Sequence, residues 1–150
     1  MCLRDTYNQA TPDAPAAPYA VNQIVHTSNA RLERDVEICV KHKVPVWITS
    51  LGAQPWVYEA AHSVGAIVLH DIINDVFAHK AIDKGADGLI AVAAGAGGHA
   101  GALSPLALIQ EIREWFDGPV FLPGPIAKGD SLLAAQAKGR LLYNTEAADQ

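Results

Sequence analysis

Residues 66–101 read AIVLHDIINDVFAHKAIDKGADGLIAVAAGAGGHAG, and the fold turns on how this stretch is read. Ala66–Leu69 is a short apolar run of strand length. From about Asn74 to Lys84 the spacing predicts a helix with Val76, Phe77 and Ile82 inward, stopped by Gly85. Gly88–Ala93 is apolar again and runs into a glycine-rich loop, Gly95–Gly101. Two apolar strands joined by a helix must lie parallel, because the helix carries the chain back to the end where it started.

The same unit recurs on both sides. Upstream, Ala20–Val25 ends in His26 and Thr27, and Ser28 or Asn29 is placed to cap a helix with Leu32, Val36, Cys39 and Val40 on one stripe. Val44–Thr49, VPVWIT, is nearly continuous in apolar character, as strands covered on both faces are. Ser50-Leu51-Gly52 turns the chain, Pro55 suits a first helical turn, Val57, Ala60, Ala61 and Val64 form its stripe, and Gly65 ends it. Downstream, Ser104 is the expected cap of a helix with Pro105 first and Leu108, Ile109, Ile112 and Phe116 inward, ended by Gly118. Val120–Leu122 is a fifth strand, Pro123–Gly129 a loop and Ser131–Lys138 a fifth helix. The chain thus divides into a poorly structured Pro/Ala-rich lead-in (1–18), an α/β unit (19–139) and an irregular tail (140–150) with no sixth strand expected. About five βα units imply a parallel sheet, either open and doubly wound or part of a (β/α)₈ barrel, whose full form needs about 250 residues.

Composition narrows the function. The 150 residues are 50% hydrophobic and 18% charged, with a formal net charge of −5, which suits one packed domain and argues against nucleic-acid binding. No apolar run approaches the roughly 18 residues of a membrane span. The two cysteines, Cys2 and Cys39, have no metal-ligand or disulfide spacing, and there is no HExxH or GxSxG; no metal is expected and a reducing, cytoplasmic setting is. Cys39 reads as core.

In either architecture ligands collect at the C-terminal ends of the strands. Those ends carry Asn22 and His26, Ser50 and Gly52, His70 and Asp71, the loop Gly95–Gly101, and the loop Pro123–Gly129. The glycine loop is the sharpest feature: Gly95, Gly97, Gly98 and Gly101 free the backbone for close approach, and His99 is its one ionisable side chain. Such a histidine is either a solvated turn residue or a base presented to a ligand, and its place at a strand end favours the base. Gly95, Gly97 and Ala100 match a dinucleotide fingerprint, but no acidic residue ends the next strand to hold a ribose. His42, His62 and His79 fall on helix surfaces, and Lys128 is either a phosphate contact or an exposed helix start.

The stretches YAVNQIVHTSNARLERD, VPVWITSLG, IVLHDIINDVFAHKAIDKGADGLIAV, AGAGGHAGALSP and LPGPIAKGDSLLAAQAKG together resemble the nitronate monooxygenase (2-nitropropane dioxygenase) family of FMN-dependent barrel enzymes. The resemblance implies a partial TIM-type (β/α)₈ barrel that oxidises alkyl nitronates or nitroalkanes with O₂ to a carbonyl compound and nitrite. It makes His99 the general base and lays Gly97 and Gly98 against the FMN. It gives the phosphate to the loop containing Gly124, Ile126, Lys128 and Gly129, turns Asn22 toward the flavin, and puts Ser50 and His70 in the substrate pocket. Three departures stand out: segments matching the family's first two strands and its last are missing, Asp71 replaces a frequent lysine, and Pro125 offers no N–H to a phosphate. An unclosed sheet implies self-association through its edges. The alternatives are an inactive partial barrel, or an FMN-dependent enoyl reductase-like enzyme with a nicotinamide donor.

Overall fold

Apolar runs of four to six residues, each followed by an amphipathic helix, place one strand after another in the same sheet. The structure, a computed structural model, describes residues 13–14, 16–97, 101–124, 129–130, 133 and 141–144. The elements are β1 (Ala20–Ile24), α1 (Leu32–Lys41), β2 (Val46–Ser50), α2 (Pro55–His62), β3 (Ile67–Ile72), α3 (Asp75–Asp83), β4 (Gly88–Ala91), α4 (Pro105–Arg113), β5 (Val120–Pro123) and β6 (Leu141–Asn144). The strands pair in sequence order, and every pairing is parallel. No helix among the described residues is long and apolar enough to cross a membrane.

Register sets which side chains share a face. Thr49 lies opposite His70 and His70 opposite Leu89, so with a period of two these residues and Trp47, Val68, Ile72 and Val120 all face the helices. There they are buried with Val36 and Cys39 of α1, Val57, Tyr58 and Ala61 of α2, Ala78 and Ala81 of α3, and Leu108, Ile109 and Ile112 of α4. The other face carries Asn22, Ile24, Ile48, Ser50, Asp71 and Ile90.

Several expectations change. The tail is not wholly irregular: Leu141–Asn144 adds a sixth strand on the edge of β5. Its apolar Leu-Leu-Tyr run is short and flanked by polar residues, which hid it. β3 continues to Ile72 rather than stopping at Leu69, because hydrogen-bonded partners let His70 and Asp71 stay in the strand. On α3 the small residues Ala78 and Ala81 pack inward, while Val76 and Phe77 are 67% and 45% exposed. Ser104 precedes α4 without a side-chain cap hydrogen bond. Asn29 does not cap α1 directly; it accepts from the Arg31 N–H and donates from Nδ2 to the Ile24 carbonyl, pinning the β1–α1 turn.

Candidate functional site

Short strands end in step, so the residues just past each apolar run meet at one rim. A cavity of about 940 Å³ opens there, with Ile48, Ile90 and Val92 among its apolar lining and Asn22, Ser50 and Asp71 among its polar lining. Volume and apolar character match small-molecule sites in general.

Three strand ends supply one hydrogen-bonded chain. Ser50 Oγ lies 2.6 Å from Asp71 Oδ2 and 3.1 Å from Asn22 Oδ1. A hydroxyl has one proton, and the shorter, charge-assisted bond to the carboxylate takes it. Ser50 then accepts from Asn22, whose amide oxygen and nitrogen exchange places by a simple flip. Burial raises the Asp71 carboxyl above the usual carboxylate range, and the Ser50 bond partly offsets this.

His70 borders the same cavity but belongs chiefly to the helix side of the sheet. Its Nδ1 is 2.6 Å from Thr49 Oγ1 and 2.9 Å from the Tyr58 hydroxyl. Burial, with a smaller push from Lys84, lowers its pKa to about 4, so the ring is neutral at pH 7. Tyr58, buried in the same cluster, is pushed up to about 12. His70 therefore anchors β2 and β3 to α2 as well as bordering the cavity.

The two glycine loops converge on the rim. Gly97 lines the cavity. Gly124 has φ +129°, and a Cβ there would sit 3.1 Å from the Gly95 carbonyl oxygen, so only glycine lets the loop after β5 close on the loop after β4. Gly101 donates from its N–H to the Val92 carbonyl at 3.0 Å, which returns the glycine loop to the end of β4. Gly129 is exposed. The expectations for Gly98, His99, Ile126 and Lys128, as for Pro125, the lead-in 1–12 and most of Ser131–Lys138, lie outside the described residues.

The rim thus gathers Asn22, Ser50, Gly97 and Gly124. It also gathers Asp71, which the sequence placed at a strand end and the family resemblance left without a role. The register explains it: with Thr49 opposite His70, the next residues, Ser50 and Asp71, share the opposite face.

No family model and no curated protein matches the chain. Solved structures do. FabK from Thermotoga maritima is 26% identical, with a TM-score of 0.76 over 95% of this chain and 45% of that one. Nitroalkane oxidase from Streptomyces ansochromogenes is 21% identical, with a TM-score of 0.73 over 84% of this chain and 49% of that one. DAHP synthase from Thermotoga maritima, at 15% identity and a TM-score of 0.60, shares the fold alone. The fold is that of a partial (β/α)₈ barrel. The chain spans about half the length of FabK and nitroalkane oxidase.

Proposed function

We propose that this chain forms part of an FMN-dependent oxidoreductase that converts nitroalkanes or alkyl nitronates, with O₂, to a carbonyl compound and nitrite. The observation that carries the reading is the convergence of Asn22, Ser50, Gly97 and Pro123 on one cavity at the C-terminal ends of the strands, with Gly124 closing the loop after β5 against the loop after β4. Likeness in fold to nitroalkane oxidase and to FabK supports it.

The residues present suit a flavin. Ile48, Ile90 and Val92 offer an apolar bed for a flat ring system, and Asn22 offers an amide to its polar edge. The backbone at Gly97 carries no Cβ to keep a ligand away. FMN, when bound, supplies the electron acceptor that O₂ then reoxidises. His99, two residues beyond cavity-lining Gly97, is assigned the α-proton of a neutral nitroalkane, leaving the electron pair of the broken C–H bond on the nitronate. Ser50 and His70 border the space left to the substrate.

Nitrite release from nitroethane and from ethyl nitronate, with FMN in large excess, tests the reading. A positioned general base contributes about 10²–10⁴-fold, so His99→Asn should cost that much on nitroethane and far less on the nitronate, which is already deprotonated. Equal losses on both would remove His99 from the role of base. Oxidation of a nicotinamide donor without nitrite would assign the enoyl reductase-like chemistry instead.

A further inference from the structure

Asp71 is the one acidic side chain among the described residues that line the cavity, and no described residue there carries the opposite charge. No ion pair involves it among the described residues. One oxygen, Oδ2, is held by Ser50 at 2.6 Å, and Ser50 in turn is steadied by Asn22 at 3.1 Å. The other oxygen, Oδ1, has no hydrogen bond to a described residue. Around the carboxyl the lining is apolar: Ile24, Ile73 and Ile90 neighbour it on the same face or at the same rim.

A fixed carboxylate in such surroundings is half of an ion pair. Two bonded strand-end residues hold its orientation, which a carboxylate merely tolerated at a surface would not need, and the apolar lining strengthens its attraction for an opposite charge. We propose that Asp71 is the anchor for a cationic nitrogen, an ammonium or amidinium, on the molecule that occupies this cavity. Ser50 is the positioning residue that aims it. The inference does not rest on the flavin reading. Where both hold, the oxidised substrate carries its positive nitrogen away from the reacting carbon.

Benzylammonium, benzyl alcohol and benzoate have the same ring and differ in charge. Each is titrated into the full chain without flavin and followed by ligand-observed NMR. The unaltered chain should bind benzylammonium at least about tenfold more tightly than benzyl alcohol, and benzoate more weakly than either. Asp71→Asn keeps the shape, and should remove the advantage of the ammonium. Ser50→Ala should reduce that advantage without abolishing it. The comparison of three ligands on the unaltered chain stands even where a variant fails to fold. Binding of benzoate as tight as that of benzylammonium, absence of ammonium binding, or an undiminished ammonium preference in folded Asp71→Asn would each overturn the proposal. Failure to release nitrite, by contrast, bears only on the flavin reading.

Discussion

His70 shows what one buried side chain costs and supplies. Its ring is 5% exposed, with two hydroxyls on one nitrogen, and its pKa of about 4 lies below the ordinary value of 6.5. In the unfolded chain the ring takes up a proton near pH 6.5, while the folded chain resists until about pH 4. The unfolded state therefore binds more protons between those values, and stability falls as the pH falls through that window. The full contribution is present above pH 6.5, and about 3 kcal/mol of it is lost by pH 4. Asp71, raised rather than lowered, shifts stability with pH in the opposite sense. Urea unfolding of the unaltered chain and of His70→Gln at pH 7.5, 5.5 and 4.5 isolates the histidine: the stability gap between them should shrink steadily with acidity. A gap independent of pH would mean that the ring is not held neutral. Gly101 makes a second prediction at this scale. A Cβ there would lie 2.5 Å from the Val92 carbonyl oxygen and 3.3 Å from Ile73 Cβ, both parts of packed structure. Gly101→Ala should destabilise the chain by about 1–3 kcal/mol in the same measurement.

Two helix starts look alike in the sequence and differ in the structure. Asn74 Oδ1 accepts from the Phe77 N–H at 2.9 Å at the start of α3, whereas Ser104 makes no side-chain bond at the start of α4. Asn74→Ala should cost about 1 kcal/mol in thermal or urea unfolding, and Ser104→Ala no more than about 0.5 kcal/mol. An equal loss at both sites would mean that the cap bond adds nothing. The contrast marks where sequence reading stops. Five strands and four helices were legible because continuous apolar runs and glycine stops are local signals, as at Val46–Ser50 and Gly65. The inward face of α3 was not, since Val76 and Phe77 are the more apolar choice, yet Ala78 and Ala81 are the residues the fold buries. Nor was β6, whose four residues gain their order from pairing with β5 rather than from their own pattern. At the site, the residue types at the strand ends were readable. The partnership of Asn22, Ser50 and Asp71 was not, because it depends on register between strands about 20 or more residues apart.

At the scale of the whole molecule the sheet has two unpaired edges, since β1 pairs only with β2 and β6 only with β5 among the described residues. The cavity face between them is only partly covered: Ile24, Ile67 and Ile73 are 42%, 49% and 44% exposed. In a closed barrel a ligand at the C-terminal rim is enclosed by loops from around the whole ring, and its phosphate is commonly gripped by the last two of them. These residues span about half the length of the structures they match, so on their own they would offer a ligand only part of such a ring. Pro125, directly after Gly124, also has no N–H to give a phosphate oxygen. Affinity depends on how fully a ligand is desolvated and held, and an open rim does neither well. FMN should therefore bind the isolated chain weakly, with a dissociation constant well above the micromolar range, while the exposed edges and apolar face draw chains together. Quenching of flavin fluorescence on titration with the purified chain measures the first, and sedimentation velocity over a range of protein concentrations measures the second. Weak binding should accompany a sedimentation coefficient that rises with concentration. Stoichiometric binding at low micromolar FMN by a monomer would show instead that six strands are enough to build the complete cofactor site, and the loops after β4 and β5 would then have to hold the phosphate unaided.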